Sequence, residues 1–138
     1  MRTRMFAALM LAAVALGSAS LAVRAAADPC VWALAGREVL RIHAGAAGLT
    51  PQKRVEALDE RMNEILSRCE GSIAAAEIVI STENKVVRIL VRGELLITAT
   101  SADAAANRTT PERLARTWLS ALRKTIPQIT PRPNEHGP

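Results

Sequence analysis

The sequence predicts an α+β domain in two layers: about five mostly antiparallel strands with two amphipathic helices on one face, in the order ββα-βββα. Three observations predict it. Two segments repeat apolar residues every three or four positions, and each opens on Thr-Pro, at Thr50-Pro51 and Thr110-Pro111. Short runs rich in Val, Ile and Leu are separated by turn signals such as Ala35-Gly36, "TENK" and Arg92-Gly93. Finally, "GREVLRIHAGAAGLTPQKRVEALDERMNEI" parallels "GELLITATSADAAANRTTPERLARTWLSALRKTI". Each has a glycine turn, a strand, a loop and a helix opened by Thr-Pro.

The first element stands outside this domain. "MRTR" is basic, "MFAALMLAAVALGSASLAV" is an unbroken apolar run, and Ala25 and Ala27 offer an A-x-A cleavage site before Asp28. Residues 1–27 therefore read as a secretory signal peptide. The expected location is periplasmic or secreted, and the alternative is anchorage to the inner membrane by an uncleaved run over residues 5–23. The charge changes with the leader. The chain has 18 basic and 13 acidic residues, but Arg2, Arg4 and Arg24 leave with the leader. That leaves 15 against 13, a net of +2, which is no footprint for nucleic acid. The remaining aromatics, Trp32 and Trp118, are too few to build a stacking platform for bases or sugars.

The domain is expected over residues 28–126. "VWALAGREVLRI" reads as a hairpin turning at Ala35-Gly36, and "HAGAAG" as a small flexible connector. "TPQKRVEALDERMNEILSRC" reads as a helix with Thr50 as N-cap and Pro51 at its first position. Val55, Leu58, Met62, Ile65, Leu66 and Cys69 form its apolar stripe, and Gly71 ends it. Glu56, Asp59, Glu60 and Glu64, interleaved with Lys53, Arg54, Arg61 and Arg68, read as a solvated face. "AEIVIS", "VVRILV" and "ELLITAT" read as strands. "SADAAANR" leads to a second helix striped by Leu114, Trp118, Leu119, Leu122 and Ile126 and stopped at Pro127. Residues 127–138 read as a disordered tail.

Cys30 and Cys69 are the only cysteines. In an oxidising compartment they are expected to form a disulfide. The alternatives are two free thiols, lipidation of Cys30 or a metal ligand pair. No cofactor is expected: "HAGAAG" has neither the spacing nor the Lys of a phosphate loop. Alternation places Val87, Ile89 and Val91, and Leu95, Ile97 and Ala99, under the helices. The opposite face then carries Val79, Val86, Arg88, Leu90 and Leu96. Two helices cannot cover both faces, so this half-apolar face is a candidate interface for an envelope protein or a second copy. A small hydrolase or ligand-binding protein using His43, Thr100 and Asp103 at the strand ends is the alternative. Against it, Ser101 reads as the N-cap of a short turn in "ADAAA", with Asp103 in its first turn. On this reading the protein is not an enzyme.

"VWALAGREVLRI", the "RVEALDER" helix rhythm, "VRGELLITATSADA" and "LARTWLSALRKTI" together resemble an N-terminal periplasmic extension of some bacterial small-conductance mechanosensitive channel proteins. The resemblance covers about residues 31–126. There the corresponding pieces are a "G-x-x-L" hairpin, an "R-A-x-x-I-x-x-R" helix, and an "I-x-x-V-T-x-x-D-A" segment before an "L-A-x-x-W" helix. This sequence has no pore helix and no channel body. The resemblance therefore implies a freestanding envelope accessory module that binds a channel, a wall component or itself.

Overall fold

Three turns set the strand layout. In each, both central residues take positive φ: Ala35 and Gly36, Asn84 and Lys85, Arg92 and Gly93. This is the turn geometry whose twist matches right-handed strands, so the chain returns antiparallel on itself. The structure, a computed structural model, describes residues 28–130. The leader and its arginines, His136 and the rest of 131–138 lie outside the described residues.

β1 (Cys30–Leu34) pairs with β2 (Arg37–Ile42) as a two-stranded sheet. β3 (Ile78–Glu83), β4 (Val86–Val91) and β5 (Glu94–Ala99) form a second sheet in that order. The helices are α1 (Pro51–Arg68), α2 (Ser101–Ala106) and α3 (Pro111–Ile129). The class is α+β with five antiparallel strands, as the sequence predicts. The strands, however, are divided between two sheets, and α2 is an additional short helix.

α1 and α3 start as the sequence indicates. Thr50 and Thr110 each accept a bond from the backbone N–H three residues on, and proline follows each cap. α3 packs against both sheets, and α1 packs against the hairpin and β5. The core they enclose includes Trp32, Ile42, Met62, Ile89, Leu122 and Ile126, all essentially inaccessible. Trp118 is buried with them, and Trp32 donates from Nε1 to Oδ1 of the otherwise exposed Asp59 at 2.7 Å.

Three expectations are corrected. First, α3 does not stop at Pro127 but runs through it to Ile129. Thr130, buried beyond the helix end, accepts from the Ile73 amide at 3.0 Å and donates to the Ile126 carbonyl at 3.3 Å. The missing proline N–H costs one helical bond in the last turns, and packing against the core outweighs it. Second, α1 is capped by Cys69 in extended conformation, and Gly71, at positive φ, lies two residues beyond.

Third, β5 does not alternate simply. Ile89 faces Ile97 and Leu90 faces Leu95, which leaves Leu96 as an extra residue. This bulge shifts the pattern by one. Leu96 is completely buried, whereas Leu95, expected inside, is 38% exposed.

Cys30 and Cys69, the pair expected to form a disulfide, are unbonded in the structure, each half-buried against the core. Cys30 pairs with Ile42 at the end of β2, and Ala44, just beyond, accepts a bond from Arg54 in the first turn of α1. Cys69 caps the far end of α1, fifteen residues from Arg54 or about 22 Å along the helix axis. A disulfide needs the two Cα atoms within about 7 Å. Cys30 and Cys69 are not bonded to each other in the structure.

Candidate functional site

Arg54, Arg61 and Arg68 are spaced by seven residues, which brings them close to one line along α1. That line runs beside β5 in the opposite direction. Arg54 Nη2 donates to the Thr98 carbonyl at 3.2 Å, Arg61 Nη1 to the Leu96 carbonyl at 2.9 Å, and Arg68 Nη1 to Glu94 Oε2 at 3.1 Å. The edge of β5 away from β4 is thus closed by guanidinium groups rather than by another strand, which protects it from unwanted pairing. By helical periodicity alone these arginines belong to a solvated face. Arg54 is instead only 7% exposed.

Burying Arg54 requires a counter-charge, and Asp103 supplies it. Arg54 Nη1 meets Asp103 Oδ1 at 2.6 Å and Nη2 meets Oδ2 at 2.8 Å, a bidentate pair joining residues 49 positions apart. Nη1 also donates to the Ala44 carbonyl at 2.6 Å. Every terminal N–H of Arg54 is therefore engaged. Asp103, fully buried, also accepts from the Thr100 amide at 3.0 Å and the Thr100 hydroxyl at 2.8 Å. In return the Thr100 hydroxyl accepts from the Asp103 amide at 3.1 Å. Thr100 and Asp103 form a capping box at the start of α2.

The N-cap is thus Thr100, and Ser101 is the exposed first residue of the helix. The Thr-x-x-Asp spacing was the signal for this. His43, half-buried at the end of β2, is not among the partners of Asp103. Four donors occupy the carboxylate, and the Thr100 hydroxyl already gives its proton to it. The trio His43, Thr100 and Asp103 therefore does not assemble a nucleophile and base. The network's role is to fix the end of β5, the start of α2 and the first turn of α1 to one another.

The same network pins the segment Ala44–Leu49. Ala46 and Leu49 exchange backbone bonds at 3.0 and 2.9 Å across a two-residue turn at Ala47 and Gly48, both at positive φ. Gly45 is needed here, because a Cβ would sit 2.7 Å from the Leu49 carbonyl oxygen. The expected flexible connector is a tight, tied-down turn. Under it lies a pocket of about 190 Å³ between the turn, α1 and β5. Its apolar walls come from Ala46, Leu49, Ala57, Leu58 and Ile97, and its polar groups from Arg54, Arg61, Thr98 and Thr100.

The second candidate is the outer face of the three-stranded sheet. Val79 pairs with Leu90, and Leu90 with Leu95, giving an apolar row across all three strands. Val79 and Leu95 are each 38% exposed and Leu90 is half-buried between them. The next row, Ser81, Arg88 and Thr98, is polar. Arg88 pairs with Glu83 at 3.5 Å, and Val86 lies beyond it. Of the residues expected on this face, Val79, Val86, Arg88 and Leu90 lie there; Leu96 does not, and Leu95 takes its place. The inner face of β4, Val87, Ile89 and Val91, is wholly buried.

At the opposite end of the sheet from α2, Arg92 holds the 3-10 turn Ala75–Glu77. It donates from Nε to Glu77 Oε1 at 2.8 Å and from Nη2 to the Ser72 carbonyl at 2.9 Å. The Ala74 amide donates to Glu77 Oε2 at 2.7 Å. That amide, and then Arg92, hold the Glu77 carboxyl below its ordinary value of 4.5.

Among the described residues no helix is long and apolar enough to cross a membrane, and no three His, Cys, Asp or Glu side chains cluster to hold a metal. No curated protein and no solved structure matches the chain. One family does, over residues 29–129, which span both sheets and all three helices. The chain belongs to the family described as Domain of unknown function (DUF8459).

Proposed function

We propose that the protein is an exported, non-enzymatic domain of the cell envelope that works by docking onto protein through the outer face of its three-stranded sheet. The observation that carries this reading is the Val79–Leu90–Leu95 row. A sheet whose central strand is wholly buried on its inner face leaves three cross-strand apolar side chains facing outward, bordered by Arg88. An apolar patch with a polar border marks an interaction surface. The leader sequence supports export, and the motif resemblance supports an accessory role beside a mechanosensitive channel. The saturated Asp103 carboxylate supports binding over catalysis.

The test is sedimentation of the purified domain, alone and with envelope extract, beside Leu90→Glu. The proposal expects self-association or a retained partner that Leu90→Glu removes. A monomer at high concentration, with partner retention unchanged in the variant, would end it.

A further inference from the structure

We propose that the pocket beneath the Ala46–Leu49 turn is a binding site for a small free organic carboxylate, with Arg61 as the residue that pairs with its head group. This goes beyond the docking reading and stands without it, since none of Val79, Leu90 and Leu95 lines the pocket.

Charge selects the head group. Arg54 is neutralised by Asp103, and its terminal donors are all taken. Arg61 differs. It gives one N–H to the Leu96 carbonyl and has no acidic partner among the described residues. Arg61 lines the pocket, and no carboxylate does. A half-buried guanidinium without a counter-charge favours an anion, and its planar fork matches a carboxylate.

Size and lining select the rest of the ligand. An engineered cavity of about 150 Å³ lined by Leu, Ile and Phe holds benzene. The pocket here, at about 190 Å³ and walled by Ala46, Leu49, Ala57, Leu58 and Ile97, suits an apolar body plus one head group. That is an acid of about six to ten non-hydrogen atoms. The pocket volume itself has room for one small group and not for a folded partner. The rim is pre-ordered, since Arg54 ties Ala44 and the close approach at Gly45 fixes the turn. Little ordering cost then opposes binding.

The test is an NMR titration of the domain with sodium benzoate and sodium hexanoate. Benzamide, neutral and of the same shape as benzoate, is the control. Saturable amide shifts at Leu49, Ala57 and Thr98 are expected, with Kd between about 0.1 and 5 mM. Benzamide should bind at least about tenfold more weakly, and Arg61→Gln should weaken benzoate by a similar factor. Ala57→Leu, which fills the pocket and leaves Arg61 in place, should abolish the shifts, and it decides the matter if Arg61→Gln does not fold. Three results overturn the proposal: no saturable shift up to about 20 mM of either acid, equal binding of benzoate and benzamide, or benzoate binding unchanged by the variants.

Discussion

Replacing Asp103 with Asn changes one atom type and almost no volume, yet among the described residues it removes the only charge paired with Arg54 in the interior. The carboxylate accepts four hydrogen bonds, two from Arg54 and two from Thr100. An amide has one acceptor oxygen and would turn its NH2 toward at least one of these donors. Arg54, 7% exposed, would remain charged and uncompensated. Breaking a buried pair by removing one partner costs about 3–5 kcal/mol. For a domain of about 100 residues, with an unfolding entropy of about 0.21 kcal/mol per degree, that lowers Tm by about 14–24 °C. The assay is thermal unfolding followed by circular dichroism. The double variant Arg54→Met, Asp103→Leu should be less destabilised than Asp103→Asn, because it leaves no charge buried. A loss under about 1 kcal/mol for Asp103→Asn would refute the reasoning, since it would mean the pair contributes no more than an exposed one.

Three further outcomes are expected. Thr100→Ala should lose about 1–2 kcal/mol of stability while Ser101→Ala stays within about 0.5 kcal/mol, measured by urea unfolding. Because the Glu77 carboxyl titrates below its ordinary 4.5 in the folded state, its contribution is present above that value and is lost as pH falls below it. Glu77→Gln should therefore flatten the acid limb of the stability profile below pH 4.5 and leave its shape near neutrality unchanged. Both cysteines should react with a thiol reagent in the unfolded, non-reduced protein, and mass analysis should find no intramolecular bridge.

The local elements were legible because their signals are local. Thr-Pro at 50–51 and 110–111, the stripe from Val55 to Ile65, and the paired turns at 35–36, 84–85 and 92–93 all act within a few residues. What escaped was tertiary or depended on register. Arg54 reads as surface because its counter-charge lies 49 residues away, beyond any periodicity. The bulge at Leu96 breaks period-two alternation without a glycine or proline to announce it, so Leu95 and Leu96 exchange faces. Pro127 reads as a stop, but helix ends are decided by what the last turn packs against. Of the outer sheet face, Val79, Val86, Arg88 and Leu90 were readable from strand parity. The pocket was not, since it depends on how the Ala46–Leu49 turn folds over α1.

The central claim is that the Val79–Leu90–Leu95 row is a docking surface. A photo-cross-linking residue placed at position 79, 90 or 95 in the full chain tests it most directly, with position 116 on the exposed side of α3 as the control. Mass analysis reads whether the adduct is a second copy or another envelope protein. A discrete adduct from the sheet positions, and none from 116, is the expected result. No adduct from any of the three, or the same pattern from 116, would contradict the claim.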